Sequence, residues 1–190
     1  MPTIVDYPVV RQRMLDRGFV SLYHNSGAFG FGPDDSVQNL GLVTTDDPSI
    51  RESARAMMRL VTRPAQLDAV ERVCRHIRSD AWLMPKSHWH YELHFGNSRL
   101  LEGVLQSIPI DPAVLRDRND GSAIAFEPAA AKQLLGVVTE LLPLLRGSDF
   151  MIAWPDGGTL CTIHHHGQLW WQTTDKGVAA ALDGVAPASR

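Results

Sequence analysis

Apolar residues along the chain switch between two periods, and that switching predicts the elements. Val9, Val10, Met14 and Leu15 recur at helical spacing after Asp6-Tyr7-Pro8, a start with proline in the first turn, and Gly18 is a natural stop. Strands are predicted over 19–23 and 38–44, with a glycine-rich loop over 24–36 between them. Asp46-Asp47-Pro48 opens a helix with Ile50, Ala54, Met57, Met58 and Val61 on one face, and a further helix runs over 65–78 with Leu67, Val70, Val73, Cys74 and Ile77 inward. A short strand is predicted at 81–84 and a longer one at 87–95. Helices follow at 98–106 and, briefly, after Asp111-Pro112. A strand at 122–126 leads into a long helix ending near Leu142.

The last third changes character. Strands at 150–154, 159–165 and 169–173 are separated by the turn Pro155-Asp156-Gly157-Gly158 and by Gly167, which makes a β-meander, and a final helix is expected over 175–182. Hairpin-linked strands at the end, with helices between the earlier ones, predict an α+β fold. It has an antiparallel-rich mixed sheet with a C-terminal β-meander and helices packed mainly on one face. One domain over residues 1–183 is expected, with a small, polar tail at 184–190 that frays.

The segment 87–95 carries the main chemical suspicion. Read as a strand, it puts Trp89, Tyr91, Leu93 and Phe95 on a core face and His88, His90, Glu92 and His94 on the other. In the meander, Cys161 and Ile163 face the core, with His165 following them, while Leu160, Thr162, His164 and His166 take the opposite side. If the two strands are neighbours, His88, His90, His94, His164 and His166 share a surface with Glu92. Neutral imidazoles at i and i+2 suit a transition metal such as Zn, with Glu92 as a further ligand or the general base. The run His88-Trp89-His90-Tyr91-Glu92 resembles the first metal motif of cupins. Its glutamate follows too soon, the flanking glycines are missing and helices are too many for a jelly roll, so no family is read from it. The plain reading of the same residues is a solvent-facing strand over an aromatic core.

Other patterns carry less. Trp170 and Gln172, with His164 and His166, form a candidate binding surface in the meander, since aromatic and imidazole rings offer area with polar handles. Of the Trp170-Trp171 pair, one ring faces the core. Gly27, Gly30 and Gly32 lack the lysine of a phosphate-binding loop and the spacing of a dinucleotide fingerprint, and Asp34 and Asp35 read as a turn or cap. Arg51, Arg55, Arg59 and Arg63 recur every four residues, a weak candidate anion-binding stripe on one helix face, followed by Arg72, Arg75 and Arg78.

Composition narrows the classes. In 190 residues, 44% hydrophobic, a substantial core is expected, and a net charge of −3 argues against nucleic acid as a general partner. Cys74 and Cys161 are expected as free, buried thiols. No basic start precedes an apolar run, and the longest apolar stretch, 134–145, is broken by Glu140 and Pro143. A membrane association is therefore not expected and a cytoplasmic protein is. No nucleophile elbow, catalytic-cysteine signature, zinc-finger spacing or kinase motif is present. The leading expectation is thus a non-enzymatic binding or protein-interaction module using the His/Trp-rich sheet face. The alternative is a metal-dependent hydrolase or oxygenase built on His88, His90 and His94 with His164 or His166.

Overall fold

Alternation of side chains across the C-terminal meander sets up the sheet. In the computed structural model, which describes residues 1–22, 28–32, 36–45 and 50–188, β8 (Phe150–Trp154), β9 (Thr159–His164) and β10 (Gln168–Thr173) pair antiparallel in sequence. Phe150, Ile152, Trp154, Cys161, Ile163, Leu169 and Trp171 point into one core. Met151, Ala153 and Leu160 point into another on the opposite face. The remaining strands are β1 (Thr3–Val5), β4 (Gln38–Val43), β5 (Met58–Leu60), β6 (Ala81–Pro85) and β7 (Ala123–Phe126), and they complete an eight-stranded sheet in the order β1-β7-β6-β8-β9-β10-β4-β5. Every pairing is antiparallel except β4 with β5. This is the expected α+β architecture.

Helices lie mainly on one face. The larger core lies under α3 (Arg63–Ile77), α5 (Ser98–Ser107), α7 (Ala131–Leu144) and α8 (Lys176–Asp183). Their ends are set locally. Thr62 Oγ1 accepts from the Ala65 amide at 3.3 Å, and Asp175 Oδ1 accepts from the Gly177 and Val178 amides at 2.7 and 3.0 Å. The other face carries α1 (Tyr7–Asp16) and a two-stranded sheet of β2 (Phe19–Ser21) and β3 (Phe29–Phe31). Val10, Met14, Phe19 and Phe29 there cover Trp82, Met84, Met151 and Ala153. This layer covers β6, β7 and β8. Over β9, β10 and β4 a cleft remains.

Several expected elements differ. The helix expected through residues 50–61 contracts to α2 (Glu52–Arg55), and the chain then enters β5, where the Gly41 amide donates to Met57 and the Val61 amide to Val43, both at 2.8 Å. Pairing with an existing edge strand outweighs the helical spacing of the apolar residues. Part of the expected glycine-rich loop is the strand β3; its other part, with Gly27, Asp34 and Asp35, and the start at Asp46-Asp47-Pro48 lie outside the described residues. The tail is docked rather than frayed as far as Ala188: Val185 is buried in the main core, and the Ala188 amide donates to Leu60 at 2.9 Å. No helix among the described residues is long and apolar enough to cross a membrane.

Candidate functional site

Residues 89–96, covering most of the segment expected as a strand, are helical. His88 caps α4 (Trp89–Tyr91), its Nδ1 accepting from the Tyr91 amide at 3.1 Å, and a π-turn over Glu92–Gly96 follows. In a helix, residues two apart diverge and residues four apart meet. Trp89 and Leu93 are therefore buried, while Tyr91 and Phe95, expected in the core, are exposed. His90 and His94 remain neighbours, with rings 4.4 Å apart; the His88 ring stacks 6.1 Å from His90 but lies outside their donor group, and Glu92 turns away into the interior.

Glu92 thus cannot serve as a base or ligand on a histidine face. It is fully buried, where its carboxylate accepts from Ser87 Oγ, from Asn97 Nδ2 at 2.9 Å and from Ser148 Oγ at 2.8 Å. Asn97 Oδ1 in turn accepts from the Arg146 amide at 2.9 Å. This network ties the segment before β8 to the helical one. Unpaired, a buried carboxylate is costly; paired this fully, it fixes the geometry around it.

The histidines do not converge as one set. Metal-capable donor atoms within 4.8 Å of one another fall into two groups among the described residues, His164/His165/His166 and His90/His94/Asp117. The proposed joint site of His88, His90 and His94 with His164 and His166 is therefore not formed, because the first three leave the sheet with the helix.

The first group sits on the β9–β10 turn. Gly167 closes that turn with φ +73°, its amide donating to His164 at 2.8 Å, and a side chain there would be strained. From behind, buried Gln66 donates to the carbonyls of Leu42 and Gly167 at 2.7 and 3.1 Å, and Arg63 donates to Gly167 at 3.0 Å. In front stands Asp149, whose Oδ1 accepts from the His165 amide at 3.1 Å and lies 2.8 Å from His165 Nδ1. Lys86 Nζ lies 3.7 Å from Asp149 Oδ2. His164 Nδ1 accepts from the His166 amide at 3.2 Å. Asp149 and His165 were not anticipated as partners: they are 16 residues apart, and only the β8–β9 register brings them together.

Electrostatics here have a sign. Burial lowers the His164 pKa from its ordinary 6.5, and the charges of His165, His166 and Lys86 push the same way, against the attraction of Asp149. Burial alone would raise Asp149, but hydrogen bonds from His165 and the charge of Lys86 outweigh it and hold the carboxyl below 3.8. A histidine depressed in the folded state takes up its proton more readily when unfolded, so stability falls as pH drops through 6.5 toward the folded-state value. Urea titrations at pH 7 and pH 5 should show this loss, and His164→Gln should flatten it.

The turn stands at one end of the cleft, which has a volume of about 610 Å³. Its floor is the open face of β9, β10 and β4, where Thr162, His164, Trp170 and Gln172 share one side as expected from their alternation. Leu22 and Phe29 form one wall; Ile50, Ala54 and Met57 form the other. Trp170 pairs with Gly41 across the strands. A Cβ at Gly41 would lie 2.6–2.9 Å from three atoms of the indole, so the ring rests over the bare backbone of β4. Its Nε1–H donates to Gln168 Oε1 at 2.8 Å. The half-buried indole is thereby a fixed platform in the floor of the cleft.

The expected arginine stripe does not lie on one helix face. Arg51 precedes α2, Arg59 lies on β5 and Arg63 begins α3, so no helix face joins them. Arg59 caps the end of α8, donating to the carbonyls of Leu182 and Asp183 at 2.9 and 3.1 Å, and Arg55 Nε donates to Ile50 at 3.1 Å. On α3, Arg72 pairs with Asp68 at 2.6 Å. Both cysteines are free thiols, and burial pushes Cys74 up to about 11 and Cys161 well above its usual value, which makes them poor nucleophiles. No family model, curated protein or solved structure matches the chain.

Proposed function

We propose that the chain is a non-enzymatic binding module whose sheet-face cleft takes a small, flat heteroaromatic ligand stacked on Trp170. The observation that carries this reading is the indole itself, laid over Gly41 and held by Gln168. A ring immobilised before binding loses little entropy on stacking. The cleft volume of about 610 Å³ lies within the range of small-molecule sites. Its walls are apolar, while His164, Gln172, Asn39 and Lys86 supply donors and acceptors along the ligand's edge. The nearest charges, Lys86 and Asp149, offset each other, which favours a neutral ring over an ion.

Indole, quinoline and purine serve as probes, with cyclohexanol as an aliphatic control, and tryptophan fluorescence is the readout. The flat heteroaromatics should quench and bind, and the control should not. Trp170→Ala should weaken binding by about tenfold to hundredfold, the range for losing one stacking partner. Equal binding of ring and control, or an unchanged affinity in Trp170→Ala, contradicts the proposal.

A further inference from the structure

A metal site needs donors that converge, lone pairs that are free, and a scaffold that holds them before the ion arrives. The second histidine group meets all three. His90 is tied twice to the loop that follows α6 (Pro112–Arg116): its amide donates to the Arg118 carbonyl at 2.9 Å, and its Nδ1 lies 3.0 Å from the Arg116 carbonyl oxygen. A ring nitrogen against a carbonyl carries the proton, which leaves Nε2 with a free lone pair. His94 follows four residues on and stands beside it on the π-turn. Asp117, at the end of α6, completes the set, with the donor atoms all within 4.8 Å of one another. Neither His94 nor Asp117 makes another side-chain hydrogen bond or ion pair among the described residues.

The His164–His166 group compares poorly. There His164 Nδ1 already accepts from the His166 amide, which uses the one lone pair of that neutral ring.

The geometry points to a divalent transition-metal site at His90, His94 and Asp117. Two imidazoles and one carboxylate suit borderline ions of the Zn²⁺ type. Three protein donors leave coordination positions for water or an exchangeable ligand, beside the exposed rings of Tyr91 and Phe95. The site is separate from the Trp170 cleft, and neither depends on the other.

The test uses the full chain purified without an affinity tag, stripped with chelator and dialysed against Zn²⁺. Elemental analysis should find about one equivalent bound. His94→Ala and Asp117→Ala should each weaken Zn²⁺ by at least about tenfold, and, being exposed, leave the thermal midpoint of the stripped protein unchanged. A His164/His165/His166→Ala triple variant should keep the ion. Absence of stoichiometric Zn²⁺, or Zn²⁺ that survives both His94→Ala and Asp117→Ala, overturns the assignment.

Discussion

Glu92→Ala is expected to destabilise the protein by about 3 kcal/mol or more, the usual cost of breaking a buried, fully paired charged group. Its carboxylate is the common acceptor for Ser87, Asn97 and Ser148. Removing it leaves buried Asn97 and part-buried Ser87 and Ser148 without their shared acceptor, and empties a fully buried side-chain position. Glu92→Gln should lose less, because the serine hydroxyls can turn to accept from the new amide. Chemical denaturation of the three proteins checks the order. A loss below about 1 kcal/mol in Glu92→Ala, no more than an ordinary neutral hydrogen bond, would mean that the network does not hold the turn before Asp149.

A single methyl group at Gly41 should weaken heteroaromatic binding nearly as much as Trp170→Ala does. The Cβ of Gly41→Ala would sit 2.6–2.9 Å from three indole atoms, so the ring must lift from the strand and out of its bond with Gln168. Gly41 has no left-handed backbone to protect, so the substitution acts through the ring alone. Stability should fall by about 1–3 kcal/mol, the range for overpacking, while affinity for the quinoline probe should fall by about tenfold or more. Denaturation and fluorescence titration on the same sample separate the two effects. Unchanged affinity would show that the indole is not the platform.

Most of the fold was legible because side chains alternate along the meander strands, turn residues at 155–158 and Gly167 mark the ends of those strands, and Asp6 and Asp111 ahead of prolines mark helix starts. The side of the sheet that carries His164, Trp170 and Gln172 followed from that alternation. Residues 87–95 were misread because alternating aromatic and polar residues mimic a strand there. The competing signal was present: Trp89, Leu93, Asn97 and Leu101, four apart, are all buried and continue into α5. What no local pattern contains is long-range pairing. Asp149 meets His165 through strand register, Arg59 meets the end of α8 across the fold, and Asp117 meets His90 through the loop after α6.

The central claim is that a flat ligand sits on Trp170. The chain has five tryptophans, and Trp154 and Trp171 are buried and stacked in the main core with ring centroids 5.8 Å apart. Nitrogen-15 spectra of the indole N–H signals, assigned by substitution and followed during titration with quinoline, test the claim directly. The account predicts a saturable shift of the Trp170 signal while those of Trp154 and Trp171 hold still. Binding that leaves Trp170 unmoved, or no saturable shift from any of the flat heteroaromatic probes, would contradict it.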